Sequence, residues 1–406
     1  MAQNRKKHAN LRVPYALAVF GDAERKAVMD VLKTPMIVPG KQAKEFEGKI
    51  ARLFGKKHGV LVNSGSSANL LAFELLNLPK GSEVITPVLT FGTTLAPILQ
   101  KGLVPVFADV MLGDYGIDID QLESLITKKT KALMIPSLMG NIPDLRRLRA
   151  IANKHKLFLI EDSCDTLGAK LYSRPTGVYS DISTTSFYAA HIITAAGTGG
   201  MICVNNKIWY QRAKILTGWG RSSAVNESEK AKKRFGGSVD GIPYDGKFIF
   251  EEAGYNFQST EISAAFALQQ MKRFQKFYRA RNRNFKLLLN FFKKYEDFFV
   301  LPEQNPNANT AWLAFPLMLR PGVAFKRLDL AKFLEGKNIQ TRPLFTGNAL
   351  RQPAFRKIKC RRRKGGYPNA DKIMAGSILI GCHQGLNQKQ INHLKSAFDE
   401  FMENNT

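Results

Sequence analysis

Between residues 59 and 205, short apolar runs alternate with stretches whose apolar positions recur at helical spacing. Gly59–Val62, Glu83–Thr86, Val104–Asp109, Ala132–Pro136 and Phe158–Asp162 read as strands, and Ser67–Leu78 as a helix. From Asp144 to His155, Leu145, Leu148, Ile151 and Ala152 fall on one helical face. Strands alternating with helices predict a mostly parallel sheet covered on both faces, with ligands gathered at the carboxyl ends of its strands.

The pattern then changes. Residues 221–253 are polar, glycine-containing and charged, and predict a long loop or insertion. Thr260–Phe292 carries a long helical pattern suited to bridging two units. Beyond about 310, a strand is expected at Trp312–Leu319 and helices at Leu328–Leu334 and Gln388–Met402. The expected class is α/β, with a large domain over residues 1–275 and a smaller C-terminal α/β domain over 276–406. No internal repeat is visible.

With 44% of its 406 residues hydrophobic, the chain can bury a large core. No stretch approaches the ~18–20 apolar residues of a membrane span. Arg5, Lys6 and Lys7 are followed by no apolar segment of the secretory kind, so a soluble cytoplasmic protein is expected, with no membrane partner. Cys164, Cys203, Cys360 and Cys382 lack the spacing of zinc or iron–sulfur ligands and are expected as packed thiols, with no metal site. Sixty Lys and Arg against 33 Asp and Glu give a net charge of +27, which raises nucleic acid as a partner. The basic runs, Lys230 to Arg234 and Arg361 to Lys364, lie far apart without interleaved aromatic platforms, so solvated loop charge is the reading taken. Part of the excess suits a diphosphate-bearing substrate.

Three segments carry candidate chemistry. Asn63-Ser64-Gly65-Ser66-Ser67-Ala68 joins a strand to a helix, where small residues let backbone N–H groups approach an anion; a Ser-capped turn explains it equally well. Glu161-Asp162 ends a strand, and a carboxylate there serves either a ligand or only the strand end. Ser183 to His191, followed by Gly197-Thr198-Gly199-Gly200, sets a histidine beside flexible backbone; alone, such a histidine is more often structural.

Taken together and in this order, these segments resemble the DegT/DnrJ/EryC1/StrS sugar aminotransferase/dehydratase family of pyridoxal-phosphate proteins. The likeness runs from Met36-Ile37-Val38-Pro39-Gly40 through Gly254-Tyr255-Asn256-Phe257 and Thr341-Arg342-Pro343-Leu344-Phe345 to the last helix. It implies the PLP-dependent transferase fold type I, like that of aspartate aminotransferase. It also implies that Gly65, Ser66 and Ser186 hold the cofactor phosphate, that Phe91 stacks on the pyridine ring, and that Asp162 pairs with the ring nitrogen. Asp165, in the same Glu161–Asp165 run, joins the cofactor-binding set. Asn256 would reach the phosphate in a neighbouring subunit, which implies a homodimer with shared active sites.

One departure is informative. The family's aminotransferases have lysine in the Ser-Phe-x-x-x-Lys segment, because only an amine forms the internal Schiff base. Here that position is His191, which can move protons but cannot hold the cofactor covalently. The same replacement marks the family's sugar 3-dehydrases. Gly81 to Thr86, Ile160 to Asp165 and Leu344 to Pro353 look like those acting on a CDP-linked 4-keto-6-deoxyglucose. Those carry an iron–sulfur cysteine cluster after a Trp-Gly-Arg segment, whereas no cysteine follows Trp219-Gly220-Arg221 up to Ala253. Thr198 replaces an acidic residue of the family, and Ile192 a second histidine.

The resemblance thus implies a pyridoxamine or pyridoxal phosphate-dependent 3-dehydratase, with His191 as catalytic residue. Its substrate would be a nucleotide-linked 4-keto-6-deoxyhexose in 3,6-dideoxyhexose, O-antigen or lipopolysaccharide synthesis, with an amino donor such as glutamate. A family member that has lost catalysis, or regulates, is the alternative.

Overall fold

The structure is a computed structural model and describes residues 11–225 and 234–405. Arg5, Lys6, Lys7, Lys230, Lys232 and Lys233 lie outside the described residues. The large unit is built on a seven-stranded sheet. Its strands are β1 (His58–Val62), β2 (Glu83–Pro87), β3 (Val104–Ala108), β4 (Thr130–Pro136), β5 (Phe158–Asp162), β6 (Ile182–Ser186) and β7 (Gly200–Val204). They lie in the order β1-β7-β6-β5-β4-β2-β3, and β7 alone runs against the rest. The other six therefore deliver their carboxyl ends to one edge, as expected of an α/β sheet.

Helices cover both faces. α1 (Asp22–Leu32) and α2 (Lys41–Leu53) precede the sheet, α3 (Gly65–Leu76) follows β1, and α4 (Gly92–Gln100) follows β2. α5 (Leu145–Lys154) leads into β5 and buries the predicted Leu145, Leu148, Ile151 and Ala152. α6 (Lys207–Thr217) follows β7. The 32-residue α7 (Glu261–Phe292), capped by Thr260, runs unbroken to the second unit. That unit holds the three-stranded sheet β8 (Phe299–Val300), β9 (Phe315–Leu319) and β10 (Ser377–Ile380), with α8 (Arg327–Gly336), α9 (Pro368–Gly376) and α10 (Gln388–Glu403). Phe292 anchors its core, 5.4 Å from Phe315 and 4.8 Å from Phe398 between ring centroids. The N-terminal segment returns to it, Val13 bridging Ile339.

Three expectations need adjusting. The strand expected from Trp312 begins at Phe315, because the preceding backbone is engaged elsewhere: Leu313 N–H donates to Met139 O, and the Trp312 and Leu313 carbonyls accept from Arg281. The stretch 221–253 contains a short hairpin, Gly237–Val239 with Ile242–Tyr244, turned at Asp240 and Gly241 with φ of 50° and 80°. β6 went unassigned because Ser183, Thr184 and Thr185 give it no apolar run; all three are nevertheless buried.

Candidate active site

The strand ends enclose a cavity of about 400 Å3. Gly65, Ser66, Phe91, Asp162, Asp165, Ser186 and His191 all line it, so seven of the eight residues singled out in the sequence are brought together. Asn256 is not among the lining residues; it is exposed and bridges Gly218.

The register of β7 explains the first wall. Gly200 pairs with Val62 on one side and Ser186 on the other, which sets the β1–α3 turn beside the end of β6. A Cβ at Gly200 would lie 2.2 Å from Ser64 O, and one at Gly65 would lie 2.7 Å from both Cys164 Sγ and Ser186 Cβ. Glycine at both places is thus a steric requirement. Ser64 caps α3, its hydroxyl accepting from Ser67 N–H at 3.1 Å, so the helix opens on the cavity with its first N–H groups uncommitted to the helix ladder. Asn63 O accepts from Gly199 N–H at 3.0 Å and from the Thr198 hydroxyl at 2.6 Å, which locks the turn to the glycine segment.

The pleat of β5 separates two carboxylates. Glu161 is buried away from the cavity and accepts hydroxyl donors from Ser163 and Ser183 at 2.7 and 2.8 Å, which is a structural arrangement. Asp162 lines the cavity. Its Oδ2 accepts from Asn69 Nδ2 at 2.9 Å and Thr94 Oγ1 at 2.8 Å, and its Oδ1 from Cys164 N–H at 3.2 Å. Asn69 Oδ1 in turn accepts from Thr184 Oγ1 at 2.6 Å. The carboxylate is held from α3, α4 and the turn after β5 at once, with β6 bracing Asn69, which fixes its orientation. Asn69 and Thr94 were not singled out in the sequence; the available signal was an amide on the otherwise apolar, buried face of α3.

Asp165 Oδ2 accepts from Met139 N–H at 2.8 Å. Burial pushes its carboxyl up to about 7, with Asp162 adding to the effect and the Met139 bond opposing it. Met139 has φ of 56°, so Asp165 holds a left-handed turn in the cavity wall. Phe91 is 54% exposed, a free ring face at the N-terminus of α4 whose edge meets Phe345 at 5.8 Å. Thr198 lines the cavity, whereas Ile192 is buried in the core.

His191 closes the opposite wall, partly buried, beside the exposed ring of Tyr188. Its Nδ1 has no hydrogen-bond partner among the described residues. Burial pulls the imidazole down to about 4, with Arg281 acting in the same direction and the Cys164 main chain against it. Among the described residues no lysine lines the cavity. Tyr15, also on the wall, comes from the N-terminal segment and carried no signal in the sequence.

Comparison with known proteins gives a consistent picture. The profile of the DegT/DnrJ/EryC1/StrS aminotransferase family matches residues 19–399. The lipopolysaccharide biosynthesis protein RfbH of Salmonella typhimurium is 36% identical over 401 residues, 96% of this chain and 91% of that protein. The dTDP-4-dehydro-2,6-dideoxy-D-glucose 3-dehydratase of Saccharopolyspora spinosa is 35% identical over 397 residues, 95% of this chain and 85% of that protein. A crystal structure of GDP-4-keto-6-deoxymannose-3-dehydratase with a trapped PLP-glutamate geminal diamine superposes with a TM-score of 0.86 at 26% identity. The match covers 95% of this chain and 99% of that one. The aspartate aminotransferase-like fold expected from the sequence is the fold the chain has.

Proposed function

The chain belongs to the DegT/DnrJ/EryC1/StrS aminotransferase family, and on that premise we propose that it is a 3-dehydratase acting on a nucleotide-linked 4-keto-6-deoxyhexose. The observation that carries this reading is a cavity of the family's kind whose walls offer His191 and, among the described residues, no lysine. Such a site binds pyridoxamine or pyridoxal phosphate without a covalent bond to the protein.

The cavity fits that group. The open N-terminus of α3 at Gly65 and Ser66, together with the Ser186 hydroxyl, forms a cradle for a phosphate, kept narrow by the absence of a Cβ at Gly65. Asp162, fixed by Asn69 and Thr94, would hold a proton on a ring nitrogen, and the exposed Phe91 would cover a ring face. When bound, the cofactor supplies an amine that condenses with a keto carbon and a ring that accepts the electron pair displaced during elimination. His191, neutral in the folded chain and on the cavity wall, would accept a proton and return it to the departing 3-hydroxyl, which leaves as water.

A second cavity, of about 410 Å3, shares Tyr15, Tyr188 and Ala190 with the first and supports a nucleotide-linked substrate. Arg12 and Arg342 line it, no carboxylate does, and among the described residues neither arginine is in an ion pair. Two unpaired guanidinium groups at the mouth suit a diphosphate. Asn256, exposed and off its own chain's cavity, supports a dimer in which it serves the neighbouring site. The amino donor that restores the amine form would be glutamate.

The test is an absorbance spectrum of protein loaded with pyridoxamine phosphate, before and after a 4-keto-6-deoxy sugar linked to GDP, CDP or dTDP is added. Conversion to the aldehyde form with a sugar product one oxygen poorer is the expected result. Cofactor binding without reaction on any of these sugars would favour the non-catalytic reading, and failure to bind the cofactor would overturn both.

A further inference from the structure

Behind the cavity wall, α7 carries Arg281, whose side chain is completely buried. A guanidinium removed from water ordinarily has a carboxylate beside it, because an unpaired buried charge is costly. Among the described residues Arg281 has no carboxylate in ion-pair range. Its donors go to main-chain carbonyls: Nη1 to Leu313 O at 2.9 Å and Trp312 O at 3.2 Å, and Nη2 to His191 O at 3.4 Å. Nε has no hydrogen-bond partner among the described residues. One side chain thus ties the segment bearing His191 to the strand approach bearing Leu313, which also lines the cavity.

We propose that Arg281 is a positioning residue for the proton-transfer step: it fixes the His191 segment and, through its charge, keeps the imidazole in its neutral, proton-accepting form. This rests on the reading of His191 as proton carrier. Burial is the larger cause of the imidazole's neutrality, and the charge of Arg281, held at the His191 carbonyl, adds to it. Among the described residues, Tyr188 meets the ring edge, Arg281 from α7 holds the His191 carbonyl, and Tyr15, Asp162, Cys164 and Asp165 share the cavity wall with it. Burial holds the Cys164 thiol protonated and pushes the Asp165 carboxyl up to about 7, so neither offers a full negative charge below neutrality. Arg281, though burial lowers it to about 10, stays charged across the working range.

The same charge serves both halves of the step. Before it, the imidazole is free to accept a proton. After it, the imidazolium lies near a fixed positive charge and surrenders the proton readily to the departing hydroxyl. The proton leaves in the water formed, and His191 returns to its starting state.

The experiment follows the imidazole directly, independent of turnover. Protein labelled with 13C at histidine Cε1 is titrated by NMR, the His191 resonance being identified by its loss in His191→Asn. In the wild type the ring is expected to remain neutral at pH 6; a midpoint at or above the ordinary value of about 6.5 overturns the proposal without any variant. Arg281→Met should raise the midpoint by about one pH unit, while Arg281→Lys, which keeps the charge, should stay within a few tenths. The acid limb of the kcat profile should move with the NMR midpoint in each variant. A folded Arg281→Met protein with an unmoved midpoint, or an equal rise in Arg281→Lys, would refute the electrostatic role. If His191→Asn retained full turnover, the functional reading would fall while the titration result stood, so the two failures are distinguishable.

Discussion

The two walls of the cavity are built on opposite principles. On the wall formed by β1, α3, β5 and β6, Asp162 is satisfied from three elements, Asn63 by two donors, and Gly65 and Gly200 sit where no Cβ fits. On the wall formed by the His191 segment and α7, among the described residues, His191 Nδ1 and Arg281 Nε have no partners and a guanidinium lies buried without a carboxylate. A wall that only holds a ligand can satisfy every polar group beforehand. Under the proposed function the second wall moves a proton through His191, whose Nδ1 is left without a fixed partner among the described residues.

The comparison can be broken or sharpened by substitution. The largest effect is expected at the unsatisfied wall: His191→Asn should lower kcat by about 10²–10⁴-fold while leaving the cofactor absorbance of loaded protein intact. If turnover and cofactor binding fell together, the division of labour between the walls would fail. Next comes Asp162→Ala, which leaves Thr94 Oγ1 without its acceptor and Asn69 Nδ2 with only Thr93 O, and should cost about 1–3 kcal/mol of stability in denaturant titration, along with cofactor affinity. Gly65→Ala should cost a similar about 1–3 kcal/mol, because Cys164 and Ser186 must yield by several tenths of an ångström, and should weaken phosphate-dependent cofactor binding above all.

The smallest effect is one of pH. Asp165 is raised to about 7 in the folded protein, against a value near 4 when unfolded. The native state therefore holds the extra proton between those values, and this contribution to stability is complete at low pH and lost as pH rises through about 7. Asp165→Asn keeps the acceptor for Met139 N–H and removes the titration, so its melting temperature relative to wild type should rise between pH 5 and 8. His191, depressed to about 4, acts in the opposite sense, its contribution being lost as pH falls through that value. A difference curve for Asp165→Asn that is flat with pH would place the coupling elsewhere.

The alternation of apolar runs and helical stretches between 59 and 205 determined an α/β sheet, because burial on both faces demands continuous apolar strands. Gly65, Ser66 and Asp162 were legible at strand ends that the pattern locates, and Ser186 and His191 through the resemblance to the family, where a histidine in place of the required amine is a chemical contradiction visible in one letter. β6 was not legible, since its Ser and Thr side chains look solvated until the tertiary structure supplies Glu161, Asn69 and Ser163 as partners. Asn69, Tyr15 and Arg281 were hidden for the same reason: they lie 93, 176 and 90 residues from the Asp162 or His191 they serve or adjoin, by direct numbering. Sequence periodicity reports which face of an element is buried. Only the folded chain decides which buried polar atom finds a partner.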